Sequence, residues 1–333
     1  MTDTKADQGS DGARLERAAK RQARAARGKA APVTLYGIPV THPEKMLWQD
    51  PGVTKRDLVD YYSGICAWIL PHLDGRPLSL KRCPSGPEAA CFIQKHAWPG
   101  LHEQVHRVPI AEKAGVRDYL VVDCLPGLVA LLQGGVVEIH PWGATVDRLE
   151  RPDRLVLDFD PAPGVAFADV VAAAREARER LAAAGLASFV RTTGGKGLHV
   201  VAPLEPTAGW AQLKDFAEGI AASMAADQPD RYTTSMAMDE RDGRIFIDYL
   251  RNTRGASAVA SYSVRARDGA PVAMPVSWEA LDGLESGARY TIGNARSAIP
   301  APGPDPWEGF FALRQALPAA RKGQGTARPP RRR

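Results

Sequence analysis

The sequence is poor in the features that stabilise secreted or membrane proteins. It has four cysteines in 333 residues and no Cys-x-x-Cys pair, so it indicates neither a disulfide framework nor a cysteine zinc site, and we expect reduced thiols. No apolar run approaches the ~18 residues that a membrane helix needs. The N-terminal stretch has no apolar segment of the kind found in secretory signals. We therefore expect a cytoplasmic protein with no membrane partner.

Basic residues outnumber acidic ones at both ends of the chain. Residues 1–31 contain eight Lys or Arg and four Asp or Glu, and residues 321–333 contain six basic residues and no acid. The two ends therefore carry net charges of +4 and +6. Because the whole chain carries +5, the segment 32–320 carries −5. The ends also have few large apolar side chains, which predicts disordered basic tails over 1–31 and 319–333 around one catalytic domain, 32–318. Such tails favour an anionic partner such as nucleic acid, or they only solubilise the ends.

Apolar patterning between the tails predicts strands that alternate with helices. Thr54, followed three residues later by Asp57, predicts a helix start, and the helix is expected to stop at Pro71. Longer helices are predicted over about 166–184 and over WAQLKDFAEGIAASMAA. Strands are predicted at PLSLKR, DYLVVDC, VVEIH, RLVLDFD, ASFVRTT, LHVVAPL and RIFIDYL. The alternation indicates a mixed α and β class.

Two aspartates end one of these strands. In RLVLDFDP, Asp158 and Asp160 are two residues apart and so project from the same side of the strand. A divalent cation such as Mg²⁺ or Mn²⁺ would make the pair favourable, whereas two solvated acids before a turn explain an isolated Asp-x-Asp equally well. Asp248 ends the apolar run IFID and adds a third acid. Three strand-borne aspartates suffice for a two-metal site that binds a phosphoryl group.

A glycine-rich segment, RTTGGKGLH, lies between the two aspartate strands. Its glycines allow the backbone to approach a phosphate closely, and Lys196 adds positive charge. It is not a Walker loop, because Gly197 follows the lysine where Ser or Thr is needed. A glycine-rich hairpin is the alternative, and His199 would then be a hydrogen-bonded core residue.

One catalytic motif is rejected. His102 to His106 reads HEQVH and matches the zinc-protease pattern HExxH, which requires a helix that puts both histidines on one face. Pro99-Gly100 before it and Pro109 after it leave too little length for such a helix. An irregular strand is expected there instead.

Three segments, LDFDP, TTGGKGLHV and IFIDYLRN, occur in this order and resemble the three motifs of the archaeo-eukaryotic primase superfamily. More closely, the chain resembles the polymerase domain of bacterial non-homologous end-joining ligase D. The resemblance spans about residues 40–282 and includes HPEKMLWQDPGVTKRDLVDYY, GRPLSLKRCPSG, CFIQKHAW, VVEIHPWGA and ASYSVRARDGAPVAMPVSWEAL. It implies an α+β primase-polymerase fold, with mixed and antiparallel sheets flanked by helices around a central catalytic cleft.

The resemblance also implies roles for individual residues. Asp158, Asp160 and Asp248 would be the catalytic aspartates that hold two divalent ions, Mn²⁺ or Mg²⁺. The incoming NTP or dNTP would contact Lys81, His140, Thr193, Gly194, Gly195, Lys196, Gly197, His199 and Arg265. DNA would contact Lys45 and Lys55 through a downstream 5′-phosphate, Phe92 near the template, and Arg241 where broken ends meet.

The sequence departs from the family pattern at a few positions. Thr193 replaces a Ser that is common before the glycine pair and keeps its hydroxyl. His42 stands where an Asn helps to hold the 5′-phosphate, and Ile93 replaces a second aromatic beside Phe92. The ligase nucleophile motif KxDG is absent from this sequence, so no ligase activity is expected.

The resemblance implies a template-directed, ribonucleotide-preferring nucleotidyltransferase for gap filling and end extension in double-strand break repair. Its partners would be DNA with 5′-phosphorylated gaps or broken ends, Ku and a separate DNA ligase, in a nucleoid-associated setting. Two alternatives stay open. One is an Asp-x-Asp glycosyltransferase, which needs neither a third strand aspartate nor basic tails. The other is a DNA-end-binding module with a degenerate site.

Overall fold

The N-terminal part of the described chain consists of two small hairpins followed by paired helices. The structure is a computed structural model, which describes residues 32–299 and 305–318; both predicted tails lie outside these ranges. The elements are β1 (Val33–Leu35), β2 (Ile38–Val40), β3 (Met46–Trp48), β4 (Val53–Thr54), α1 (Lys55–Gly64) and α2 (Cys66–Leu73). Thr54 caps α1 and forms a reciprocal capping box with Asp57, as predicted.

A five-stranded antiparallel sheet follows. Its strands are β5 (Leu78–Arg82), β6 (Phe92–Gln94), β7 (His106–Glu112), β8 (Gly115–Val121) and β9 (Val136–Pro141), with α3 (Leu125–Gln133) between the last two. The order is β6-β5-β8-β7, and β9 also pairs with β5. The predicted strands PLSLKR, DYLVVDC and VVEIH therefore belong to one sheet.

A six-stranded sheet carries the aspartates and the glycine-rich loop. Its strands are β10 (Arg154–Pro161), β11 (Phe189–Thr192), β12 (Leu198–Pro203), β13 (Tyr232–Thr233), β14 (Ile245–Asp248) and β15 (Pro275–Val276). The order is β13-β14-β10-β12-β11-β15, antiparallel except for the β13–β14 pair. The helices α4 (Phe167–Ala183) and α5 (Trp210–Asp227) pack on each other and on this sheet, and a short α6 (Ala295–Ala298) comes later.

Because side chains alternate along a strand, the two faces of the six-stranded sheet pack against different parts of the chain. Leu155, Leu157 and Phe159 point into the main core that α4 and α5 cover. Val156 lies on the opposite face, in a separate cluster with Val201, Trp307 and Phe310. The aspartates of β10 share this second face, so the C-terminal segment packs beside the candidate site.

Two local expectations have definite outcomes. The helical run does not stop at Pro71: it breaks at Ile65, and α2 continues two residues beyond the proline to Leu73. The HEQVH segment is not a helix, as expected, but most of it is not the expected strand either: residues 103–105 form a turn and bend, and only His106, which begins β7, is in a strand.

The expectation of four reduced thiols is wrong for one pair. Cys83 and Cys91 are joined by a disulfide, whereas Cys66 and Cys124 are free. The cause lies in the β5–β6 register, in which Arg82 is opposite Phe92. The next residue outward on each strand is a cysteine, so the hairpin brings the two sulfurs together.

Among the residues described, no helix is long and apolar enough to cross a bilayer.

Candidate active site

Four polar residues form a row across neighbouring strands. The antiparallel registers place Asp248 opposite Asp158, Asp158 opposite His199, and His199 opposite Arg191. The row therefore crosses β14, β10, β12 and β11 on a single face of the sheet. The sequence motifs that contain these residues lie far apart in the chain, and strand pairing brings them together.

The aspartates at the start of this row share a cation from the protein itself. The guanidinium of Arg251 lies 3.2 Å from Asp158 Oδ2 through Nη2 and 3.2 Å from Asp248 Oδ2 through Nε. The next residue, Asn252, bonds through its side chain to both the N–H and the carbonyl of Val156. This double contact fixes the segment after β14 against β10 and so holds Arg251 beside the carboxylates.

The electrostatics of the carboxylates differ along the cluster. Burial alone would raise the pKa of Asp158, but His199 and Arg251 outweigh it and hold that pKa well below its usual value. Burial, together with the charge of Asp158, raises the pKa of Asp160. Burial also raises the pKa of Asp248, against the opposing charge of Arg251. The surroundings of Asp160 and Asp248 therefore disfavour the ionised carboxylates, and an added cation would stabilise them.

The glycine-rich loop lies directly on the end of β10. A Cβ at position 197 would come within 2.1 Å of the Phe159 carbonyl oxygen, so only glycine fits there. Gly194 has a φ of +65°, in the left-handed region that favours glycine, and its N–H donates to the carbonyl of Gly287 at 3.1 Å. The hydroxyl of Thr193 donates to the carbonyl of Gly197 at 3.1 Å, which closes the loop.

Glu138, on the other sheet, joins several predicted nucleotide contacts. Its carboxylate lies 3.3 Å from Lys81 Nζ, 2.8 Å from His140 Nε2 and 3.0 Å from Arg265 Nε. Burial alone would raise the pKa of Glu138, but the hydrogen bond with His140 and the charge of Arg265 hold it far below its usual value. Arg265 also donates to the carbonyl of Thr193 and thereby ties the two sheets together.

A polar cavity of about 190 Å³ lies between these groups. Most of the predicted metal and nucleotide residues line it: His140, Asp158, Asp160, Thr193, Lys196, Gly197, His199 and Arg265. Asp248, Lys81, Gly194 and Gly195 lie outside its lining. Asp248 reaches the site through Arg251, Lys81 through Glu138, and the two glycines shape the loop.

A second, smaller cavity brings the two predicted DNA lysines together. Lys45 and Lys55 both line a cavity of about 90 Å³ that also includes Gln133 and Gly134. Lys55 is 8% exposed and donates to the carbonyl of Thr41 at 2.9 Å and to Gln133 Oε1 at 3.2 Å. Lys45 donates to the carbonyl of Pro84. Two ammonium groups beside the capped start of α1 form a site suited to an anion.

The remaining predicted DNA contacts lie outside this second cavity. Phe92 is on β6, at the edge of the five-stranded sheet, and is 45% exposed, while the neighbouring Ile93 is 59% exposed. Arg241 is close to the aspartate cluster, with Nη1 3.8 Å from Asp160 Oδ2 and its guanidinium 3.7 Å from the centre of the Phe246 ring.

The donor set of the aspartate cluster fits a hard divalent cation. Carboxylate oxygens are the ligands that Mg²⁺ and Mn²⁺ prefer, and Arg251 occupies the position of a counter-charge between Asp158 and Asp248. Within the described ranges no three acidic, histidine or cysteine side chains converge on one point as they stand. Arg251 therefore occupies carboxylate oxygens that a divalent cation would also use.

Sequence reasoning missed three residues that the structure places at the site. Arg251 lines the main cavity, Glu138 holds three of the predicted contacts, and Arg191 contacts His199. Each of them had a usable signal. Arg251 lies within IFIDYLRN, Arg191 immediately precedes TTGG, and Glu138 is the one charged residue inside an apolar strand.

The chain is similar to several known proteins. The family profile described as the LigD primase-polymerase domain matches residues 54–307. The multifunctional non-homologous end joining protein LigD of Pseudomonas aeruginosa is 36% identical over 307 residues, which is 91% of this chain and 36% of that protein. The corresponding repair protein of Mycobacterium tuberculosis H37Rv is 32% identical over 253 residues, which is 74% of this chain and 33% of that protein.

The fold is also similar to a solved structure. The polymerase domain of Mycobacterium tuberculosis ligase D, in complex with DNA, superposes with a TM-score of 0.77 at 29% identity. The match covers 83% of this chain and 98% of that domain. The chain thus spans about a third of the length of these curated relatives and nearly all of the solved polymerase domain.

Proposed function

Because the chain belongs to the LigD primase-polymerase family, we propose that it is a template-directed nucleotidyltransferase that fills gaps and extends ends during non-homologous end joining. The observation that carries this proposal is the opposition of Asp158 and Asp248, with His199 and the glycine-rich loop beside them. The carboxylates that would hold a cation therefore lie next to the basic residues that would bind phosphates.

The cavity residues bind and orient the nucleotide. Lys196 is exposed on the loop, and Arg265 and Arg267 line the same cavity beside the loop glycines, so three positive side chains are available to a triphosphate. Gly197 lets the loop backbone pack directly against the Phe159 carbonyl at the end of β10, so the loop and the aspartates line one cavity. Neutralisation of phosphate charge in a partly enclosed cavity also favours the transition state, in which that charge is redistributed.

Asp158, Asp160 and Asp248 would hold two divalent ions, Mn²⁺ or Mg²⁺. Bound there, the ions would lower the pKa of the primer 3′-hydroxyl and offset charge on the triphosphate. The protein itself must keep the three carboxylates ionised and close together, which His199 and Arg251 do for Asp158.

Sugar selection is proposed to favour ribonucleotides. The hydroxyl of Thr193 donates to Gly197 and keeps lone pairs that can accept from a 2′-hydroxyl. His140 uses Nε2 for Glu138, so its Nδ1 is the other acceptor within reach of the cavity.

Lys45 and Lys55 are proposed to bind the 5′-phosphate of the downstream strand, with Phe92 against the template and Arg241 near the meeting ends. Ku and a DNA ligase are proposed partners at the broken ends, on the DNA of the nucleoid. These 333 residues contain no KxDG motif, so they are proposed not to seal the nick themselves.

The decisive experiment is primer extension on a 5′-phosphorylated gapped duplex, with each NTP and dNTP, in Mn²⁺, in Mg²⁺ and in EDTA. We expect templated, metal-dependent addition that Asp158→Asn and Asp248→Asn each reduce by several orders of magnitude while DNA binding is retained. Binding without extension in any metal would favour an end-binding module. Turnover of a nucleotide-sugar without DNA would favour a glycosyltransferase.

A further inference from the structure

The ring of His199 is held at both nitrogens. Nε and Nη2 of Arg191 lie 3.2 and 3.0 Å from Nδ1, and Nε2 on the other side of the ring lies 3.3 Å from Asp158 Oδ1. Both residues are buried, with His199 3% and Arg191 4% exposed. Bulk water therefore has little access to either contact.

The chemistry of these groups fixes where the ring proton is. A guanidinium group has only donors, so Nδ1 of His199 has to accept through its lone pair. A proton on Nδ1 would point at two N–H groups, and the arrangement therefore excludes it. The one ring proton must then be on Nε2, from which it points to the carboxylate of Asp158.

Two side chains, Ser261 and Trp307, hold Arg191 in place. Its Nη1 donates to the hydroxyl of Ser261 at 3.2 Å, and its guanidinium lies 5.8 Å from the centre of the Trp307 ring. Trp307 is anchored in turn by a hydrogen bond from Nε1 to the carbonyl of Val190 at 2.8 Å. Within the described part of the chain, Arg191 makes no ion pair with a carboxylate, and its contact with His199 is bidentate.

We propose that Arg191 is a positioning residue that locks His199 in the Nε2-protonated tautomer. His199 can then only donate a hydrogen bond, first to Asp158 and then to the phosphates of the incoming nucleotide. It has no free lone pair, so it is neither a metal ligand nor the base that deprotonates the primer. The phosphate contact rests on the proposed function, whereas the tautomer follows from the geometry alone.

The tautomer can be measured without any activity. The full chain, labelled with ¹⁵N-histidine and free of nucleotide and metal, is compared with His199→Gln to identify the signals of His199. We expect an unprotonated, acceptor-type shift for Nδ1 and a protonated-type shift for Nε2. In Arg191→Met, the two signals should move towards a mixture of tautomers, while Arg191→Lys, which keeps one donor, should stay close to the original. A protonated Nδ1 in the unsubstituted protein would overturn the proposal, whether or not the variants fold.

Kinetics test the donor role separately. Gln at position 199 keeps an N–H near the position of Nε2, whereas Leu has none. His199→Gln should retain kcat/KM for NTP within about tenfold, while His199→Leu and Arg191→Met should lose roughly 10- to 100-fold, mainly through KM, as expected for a lost hydrogen bond to a charged group. A Gln variant as inactive as the Leu variant would mean that the lone pair is what matters, against the proposal. If the unsubstituted chain extended no primer, the proposed function would fail while the NMR result would still decide the tautomer.

Discussion

Asp158 and Asp248 lie directly opposite each other on β10 and β14, and one arginine, Arg251, contacts both carboxylates. Two like charges at opposed positions of an antiparallel pair destabilise the sheet. The guanidinium removes that repulsion in the unliganded protein. A divalent cation held by these aspartates would use the same carboxylate oxygens, so we expect it to compete with Arg251.

This competition predicts how Arg251→Met responds to metal. Without a divalent ion, the variant should unfold about 2–4 °C lower than the unsubstituted chain, because the carboxylates have lost their counter-charge. Added Mn²⁺ should raise its melting temperature more than that of the unsubstituted chain, since no arginine has to be displaced. Differential scanning fluorimetry in EDTA and across a Mn²⁺ titration measures both effects.

The matched control is Arg254→Met. Arg254 lies three residues further on, pairs with Glu150 at 2.7 Å and does not contact the aspartates. It should respond to Mn²⁺ as the unsubstituted chain does. Identical Mn²⁺ shifts in all three proteins would show that Arg251 does not compete for the site.

The buried carboxylate of Glu138 should be important for stability. Glu138→Gln leaves Arg265, Lys81 and His140 without their shared negative partner at a position that is 2% exposed. Loss of one member of a buried ionic cluster typically costs about 3–5 kcal/mol. Urea unfolding should therefore show a fall of about 3 kcal/mol.

Glu44→Gln is the comparison for this variant, because Glu44 pairs with Arg56 on the surface at 3.5 Å. An exposed pair of this kind contributes about 0–1 kcal/mol. If both glutamine variants lost the same small amount, the Glu138 cluster would be energetically unimportant.

The paired lysines should decide whether the phosphorylated state of a downstream end is recognised. Lys45→Ala combined with Lys55→Ala removes both ammonium groups from one cavity. Affinity for a gapped duplex with a 5′-phosphate should fall by at least about tenfold, the loss expected for one charged hydrogen bond. Affinity for the 5′-hydroxyl duplex should change little.

Gel shifts with the two duplexes at fixed salt measure this preference. Lys113→Ala, at an exposed position in the turn between β7 and β8, controls for general loss of positive charge. The hypothesis is wrong if the double variant still distinguishes the phosphorylated from the unphosphorylated end.

Local patterns were sufficient for the elements that position the site. The apolar runs that contain Asp158 and Asp248 form strands, as predicted, and Thr54 caps a helix, as predicted. They could not reveal which strands are neighbours. The opposition of His199 to Arg191, and the reach of Glu138 from one sheet to Arg265 near the other, depend on register and on long-range packing.

The disulfide illustrates the same limit. The sequence spacing of Cys83 and Cys91 says nothing about pairing, because any turn length between them is compatible with two free thiols. It is the alignment of Arg82 with Phe92 across the β5–β6 hairpin that brings the cysteines together. Pro71 shows the converse, since a proline near the end of α2 removes only one helical hydrogen bond and the buried Leu73 keeps the last turn in place.

Buried histidines should make the protein sensitive to acid. His72 is fully buried against Trp307, Phe310, Phe311 and Tyr262, and neither ring nitrogen has a hydrogen-bond partner among the residues described. Burial holds its pKa well below the usual value. Below about pH 6.5 the unfolded chain therefore takes up a proton that the folded chain does not, and stability falls as the pH falls.

His72→Leu should weaken this dependence. One such histidine contributes up to about 1.4 kcal/mol per pH unit below its unfolded pKa, because one proton is bound only in the unfolded state. Urea midpoints at pH 7, 6 and 5 should therefore fall less steeply in the variant. His96→Leu is the control, since His96 is partly exposed and pairs with Glu112 at 3.4 Å. Parallel slopes for all three proteins would contradict the prediction.

The choice between ribose and deoxyribose is expected to depend on Thr193. Thr193 is 7% exposed and lines the cavity, and its hydroxyl donates to the carbonyl of Gly197, which leaves lone pairs free to accept. A buried acceptor that loses its partner when a deoxynucleotide binds costs about 1–3 kcal/mol. That corresponds to a preference of roughly five- to hundredfold for NTP over dNTP.

Thr193→Val keeps the shape of the side chain and removes the hydroxyl, whereas Thr193→Ser keeps the hydroxyl and removes a methyl group. The ratio of kcat/KM for NTP over dNTP should fall close to one in the Val variant and persist in the Ser variant. If the Val variant lost activity with both nucleotides equally, the hydroxyl would serve only to close the loop onto Gly197. If the Val variant kept the full ratio, the 2′-hydroxyl would have another acceptor. His140 would then be the next to test, because Glu138 occupies its Nε2 and Nδ1 is left to accept.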